Sequence, residues 1–151
     1  MRRLLLLLSF IGFLFSLNLS LHDYHNPSAT HILDAEVIDD LLIVTGMIGG
    51  IEFYDISTPE VLNHLTSFNL SGGGGGVKPN CIRATDNYAY ITTTNGVAII
   101  DISNPSNPQS LGYISGTNNL ILENLDIHED LLVVAAHEDG IRLYDISTPS
   151  D

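Results

Sequence analysis

The sequence predicts an all-β chain built from repeats, on three observations. The ten-residue stretch GIEFYDISTP that begins at Gly50 returns as GVAIIDISNP at Gly96 and as GIRLYDISTP at Gly140, at spacings of 46 and 44 residues. Around each copy lie short apolar runs, rich in β-branched and aromatic residues and bounded by Gly, Asn, Asp and Pro. Beyond the apolar N-terminal stretch, no segment carries a helical period.

A period of about 40 to 45 residues is that of a four-stranded propeller blade. Unit one offers Ile32–Ile38, Leu41–Gly46, the strand opened by Gly50, and Val61–Phe68. Unit two offers the runs CIRATD, YAYITTT, GVAIIDI and QSLGYIS. Unit three offers Leu120–Ile127, LLVVAAH and GIRLYDI, with no fourth run. The expected architecture is a partial β-propeller of about three consecutive four-stranded antiparallel blades, the third incomplete, preceded by an apolar N-terminal signal segment. Its divisions are 1–20 (signal peptide or N-terminal anchor), 21–30 (linker), 31–70 (blade 1), 71–76 (glycine-rich connection), 77–116 (blade 2) and 117–151 (blade 3). A propeller generally closes with at least four blades. The expectation is therefore a piece of a longer product, with a second copy that closes the ring and a short open arc as the alternatives.

Arg2 and Arg3, an unbroken apolar run, and then Ser16, Asn18 and Ser20 have the layout of a secretory signal. No A-x-A cleavage pattern follows, and residues 4–21 are long enough to span a bilayer, so an uncleaved anchor stays open. The expected location is secreted, periplasmic or at the cell surface.

Within the blades, LLIV and LLVV are apolar on both faces, as strands covered on both sides must be. Asp39-Asp40, Asp86-Asn87 and Glu129-Asp130 fall where the first strand turns into the second, and Asp and Asn tolerate tight-turn dihedrals. A cation site at these tips is the alternative, although no D-x-D-x-D-G loop occurs. Gly50, Gly96 and Gly140 open the third strand, where a positive φ lets the preceding connection turn sharply. Alternation places Ile51, Phe53 and Asp55 on one face and Glu52 and Tyr54 on the other. Asp55, Asp101 and Asp145 are read as turn-makers whose carboxylates accept backbone N–H groups, and Pro59, Pro105 and Pro149 as the residues that end strand pairing.

The three cores resemble the LVIVD-repeat family of bacterial and archaeal surface or secreted proteins, whose repeats are similar to propeller blades and carry G-L-x-I-x-D-I-S-x-P-x-x-P. Unit two alone has the second proline, Pro108; unit one has Asn63 there. The resemblance implies a blade-like fold and a location outside the cytoplasm more than it implies a chemistry.

The net charge of -13, from 18 acidic and five basic residues, repels phosphate backbones and anionic headgroups. No nucleic-acid partner is expected, and membrane contact is expected only through the N-terminal segment. The single cysteine, Cys81, allows no intrachain disulfide. At the rim shared by the loops that join strand two to three and one blade to the next, His137, Glu138, Asp139, Asn95, Asn118 and Asn119 are the candidate ligand residues. Adjacent residues on one loop rarely converge on a metal, and His22, His25 and His31 lack H-E-x-x-H spacing, so no metal site is assigned. The run SGGGGG lacks phosphate-loop spacing and no G-x-S-x-G elbow occurs, so no cofactor and no catalytic residue is assigned.

These features favour a non-enzymatic exported repeat module that presents loops to protein or carbohydrate at the cell surface. Further blades would come from a longer chain or from another copy. The alternatives are part of a secreted propeller enzyme, a hydrolase or lyase whose site lies in other blades, and a cation-dependent adhesin.

Overall fold

The computed structural model describes residues 24, 30–48, 50–58, 60–70 and 77–149. The signal segment read at 1–20, nearly all of the linker, the glycine-rich connection at 71–76 and Pro59 lie outside the described residues.

Eleven strands are described: β1 Thr30–Ile38, β2 Leu41–Ile48, β3 Gly50–Asp55, β4 Asn63–Phe68, β5 Pro79–Ala84, β6 Tyr88–Thr93, β7 Gly96–Asp101, β8 Gln109–Tyr113, β9 Asn124–His128, β10 Leu131–Ala135 and β11 Ile141–Asp145. They form three antiparallel sheets in sequence order: sheet A (β1-β2-β3-β4), sheet B (β5-β6-β7-β8) and sheet C (β9-β10-β11). Among the described residues the only helical turn is a 3-10 turn at His137–Asp139. The architecture is all-β and propeller-like. Strands are shorter than their apolar runs in two places. β4 begins at Asn63 because Val61 N–H closes a turn on Thr58 O (3.0 Å). β9 begins at Asn124, four residues into the run from Leu120: Leu120 and Leu122 pack against the core outside the strand, and Glu123 N–H bonds Ala135 O at 2.9 Å.

The three sheets share one register. Leu41, Tyr88 and Leu131 pair with Asp55, Asp101 and Asp145. Behind each aspartate the next residue ties the third strand to the hairpin tip: Ile56 N–H donates to Asp40 O, Ile102 to Asn87 O and Ile146 to Asp130 O, each at 2.8 Å. Each carboxylate accepts a backbone N–H two residues on: Asp55 from Ser57 (2.8 Å), Asp101 from Ser103 (2.9 Å) and Asp145 from Ser147 (2.9 Å). These serine bonds hold all three carboxyls below their usual range.

The shared register makes burial comparable position by position. Ile43, Ile51 and Phe53 of sheet A are buried against Ile82, Ala89, Ile91, Ala98 and Ile100 of sheet B. One sheet on, their equivalents Tyr90, Val97 and Ile99 are buried against Leu125, Leu132 and Val134 of sheet C. Burying each such branched or aromatic side chain contributes about 1.5–3 kcal/mol. The sheets converge on their first strands, β1 beside β5 and β5 beside β9. The glycine that opens the third strand is sterically required in two sheets: at Gly50 (φ 92°) a Cβ would collide with Phe68 O and Asn69, and at Gly96 (φ 123°) with Thr117 Oγ1 at 2.5 Å.

On the far side of sheet A, Glu52 is buried and its Oε2 accepts the hydroxyl of Tyr54. Burial and that bond push the Tyr54 phenol well above its ordinary range.

Candidate functional site

Convergence of the first strands places Asp34 and Glu36 (β1), Cys81 and Arg83 (β5) and Asn124 and Asp126 (β9) side by side. Glu36, Arg83 and Asp126 pair with Ile43, Tyr90 and Val133, so they occupy the same position in successive units. Arg83 Nη1 lies 3.0 Å from Asp34 Oδ2 and 3.9 Å from Glu36 Oε2, and Arg83 Nε 3.8 Å from Asp126 Oδ1. Asp34 Oδ2 also accepts Ile82 N–H (3.1 Å). Burial opposes charge on Asp34, but the donors of Ile82, Cys81, Ala35 and Arg83 outweigh it and hold the carboxyl below its ordinary value. At Glu36 burial prevails and the pKa is raised, the Ala84 N–H and Arg83 notwithstanding.

Beside this cluster, Cys81 Sγ lies 2.8 Å from Asn124 Oδ1. Burial pushes the thiol up to about 11, so it stays a thiol at neutral pH and is no thiolate nucleophile.

At the rim where strands two and three connect, a groove of about 420 Å³ opens between the sheets. Leu33, Met47, Leu120 and Ile121 make it apolar, and Lys78 and Asn80 bring an ammonium and an amide to its edge. Thr45 Oγ1 donates to Asn80 O (2.6 Å), which ties sheet A to the start of β5 there. Such a groove suits an apolar group that carries an anionic or polar head.

The six rim residues named from the sequence do not line this groove. His137 Nδ1 instead faces Glu123 Oε1 at 3.0 Å, Asp139 lies 3.7 Å from Arg142, and Glu138 is exposed beside them on the 3-10 turn. Asn118 is brought beside the β6–β7 turn that contains Asn95, because Thr117 Oγ1 accepts Val97 N–H (2.9 Å). Asn119 takes a positive φ of 65° in the connection that follows. Among the described residues, no three of His, Cys, Asp and Glu group so as to hold a metal ion.

Sequence reasoning did not single out Lys78, Asn80 or the Arg83 cluster. One signal existed for the cluster: counting back three residues from the hairpin tips of units one and three reaches Glu36 and Asp126, and three back from Asp86 reaches Arg83.

Residues 80–114, nearly all of sheet B, match the family model of the LVIVD repeat. No curated protein matches the chain. Two solved structures of computationally designed proteins are similar in fold. The crystal structure of the Ika4 protein superposes on 77% of this chain and 66% of its own, with a TM-score of 0.55 and 17% identity. That of the Ika8 protein, in crystal packing No.1 in P63, covers 80% of this chain and 34% of its own, with a TM-score of 0.58 and 15% identity. The chain thus spans about two thirds of the first and about a third of the second, and at these identities the likeness concerns fold alone.

Proposed function

We propose, from the LVIVD repeat at residues 80–114 and the blade-like sheets around it, that this chain is a non-enzymatic propeller repeat module, exported from the cell, that works as a binding scaffold. One observation carries the reading. The positions buried as Ile43, Ile51 and Phe53 in sheet A and as Tyr90, Val97 and Ile99 in sheet B recur in sheet C as Val133, Ile141 and Leu143. There Ile141 is 75% and Leu143 62% exposed.

A sheet of this repeat covers that face in the two earlier units, so a further sheet of the same repeat covers it here. It comes from a longer chain or from a second copy. A scaffold of this kind stacks blades to hold its loops, and contact with protein or carbohydrate falls to the rim groove beside Lys78 and Asn80. The N-terminal run of residues 4–21 supports export by its composition.

Sedimentation velocity on the full chain tests the stacking. Wild type associates in a concentration-dependent way, and Leu143→Lys with Ile141→Lys abolishes association without changing the circular dichroism. A second copy is then the source of the covering sheet. A strictly monomeric wild type whose sheet C amides already exchange as slowly as those of sheet B sinks the reading, because the face is then not an interface.

A further inference from the structure

At the opposite rim, where the hairpin tips lie, a groove of about 310 Å³ runs between sheets B and C. Asp86 stands on one side, Glu129 and Asp130 on the other, and Tyr88, Tyr90 and Pro149 are among the residues between them. Three acids alone define nothing, since a charge cluster is usually just a solvated face. What distinguishes this groove is Tyr90. Its side chain is fully buried, it reaches the groove lining, and its hydroxyl has no hydrogen-bond partner among the described residues. A buried hydroxyl without a partner costs about 1–3 kcal/mol. The structure tolerates that cost here, in a groove lined by Asp86, Glu129 and Asp130, as it does at the Tyr113 hydroxyl elsewhere. Burial, with the nearby Tyr88 and Asp130, pushes the phenol up to about 12, so it remains a neutral hydroxyl at neutral pH.

The equivalent groove between sheets A and B, of about 440 Å³, is an internal control. It too carries acids, Asp39, Asp40, Asp55 and Asp86, but its remaining lining is Ile38, Leu41, Leu65 and Ile102 with the turn after β7. Leu41 stands where sheet B has Tyr88, and Ile43 where it has Tyr90. The backbone plan is shared, and the aromatic, hydroxyl-bearing lining belongs to the B–C groove alone.

We propose that the B–C tip groove binds a guanidinium group, the side chain of an arginine on a partner peptide, between Asp86 and the Glu129–Asp130 tip. The chemistry selects this class. The carboxylates call for a cation, and no three of them are grouped for a metal ion. An organic cation with several directed donors remains. A planar guanidinium can bond carboxylates on both sides, donate to the Tyr90 oxygen and stack on the Tyr88 ring, which an ammonium point charge does less well. The net charge of -13 draws such a partner in. The proposal does not depend on whether a further sheet covers sheet C, so either can fail without the other.

The test is a titration of the full chain with N-acetyl-arginine methylamide, followed by amide chemical shifts, with the neutral isostere N-acetyl-citrulline methylamide beside it. The arginine probe saturates and moves the Asp130 and Ser147 amides, and citrulline binds at least about tenfold more weakly, as loss of a charged hydrogen bond implies. Tyr90→Phe and Asp130→Asn each weaken the arginine probe about five- to tenfold, whereas Asp39→Asn in the control groove leaves it unchanged. Absence of saturable binding, equal affinity for citrulline, or full affinity in Tyr90→Phe overturns the proposal. So does calcium chloride competing for the same amides.

Discussion

The A–B and B–C boundaries are made from the same repeat in the same register, yet they are built differently. At A–B the core is aliphatic and aromatic throughout, with Phe53, Ile43 and Ile51 set on Ile82, Ile91 and Ile100, and the first strands are joined at 3.0 Å by Arg83 and Asp34. At B–C a buried tyrosine replaces Ile43, a thiol and an asparagine face each other where the carboxylate stands in sheet A, and Arg83 reaches Asp126 only at 3.8 Å. The backbone supplies the stacking, and the side chains at equivalent positions decide which boundary is sealed and which keeps a polar opening. Repeat folds divide stability from recognition in this way: neighbouring units need only complementary faces, so any one boundary can vary.

The difference can be broken from the apolar side first. Phe53→Ala empties the centre of the A–B core, and we expect a loss of about 3–5 kcal/mol in urea denaturation. The corresponding Ile99→Ala at B–C, on a side chain 9% exposed, should cost less, toward the lower end of about 2–5 kcal/mol. Equal losses would mean that the two boundaries are equally sealed.

Gly96→Ala is the next largest. The added Cβ meets Thr117 Oγ1 at a positive φ, and a cost of about 2 kcal/mol is expected. Gly140→Ala, at φ 80° with no atom within 4 Å, should cost about 1 kcal/mol from backbone strain alone. Thermal melts of the two variants measure the gap.

Arg83→Met removes the tie at the first strands. Its partners are partly solvated, so about 1 kcal/mol is expected at neutral pH. Acid acts on the same contact. The Asp34 carboxyl is depressed in the folded chain, so its contribution is complete above its ordinary value of 3.8 and is lost as pH falls through the folded value. Melting temperature should therefore drop below about pH 4, and Asp34→Asn should flatten that part of the profile. An unchanged acid limb in Asp34→Asn would remove Asp34 from the account.

The smallest effect is on Tyr90. Removing a hydroxyl that has no partner leaves stability within about 1 kcal/mol of wild type, on the favourable side. A loss above that would show that the phenol is bonded in solution.

What is local in the chain was legible in it. The period, the strand runs and their antiparallel order follow from alternation and turn residues within a few positions of each other, and the LVIVD match at 80–114 falls on the unit with both prolines. The far-reaching contacts were not. Asp34 and Arg83 are 49 residues apart, and nothing in either strand names the other. Alternation puts Glu52 and Tyr54 on one face, but that Glu52 is buried there and accepts the Tyr54 hydroxyl was not legible. The run Leu120–Ile127 looks like one strand because apolar packing residues and strand residues share a composition, while only the second half finds β10 to pair with. Which side chains line the groove depends on how the sheets splay, and Lys78 and Asn80 carry no local mark of it.

Hydrogen exchange on the full chain tests most directly whether three units stack in sequence with one face left open. The account predicts that, at a dilution where the chain is monomeric, β6 and β7, covered on both faces, exchange only through global unfolding, and that β11, with Ile141 and Leu143 exposed, exchanges orders of magnitude faster. Protection in β11 equal to that in β7, in a monomer, would contradict it.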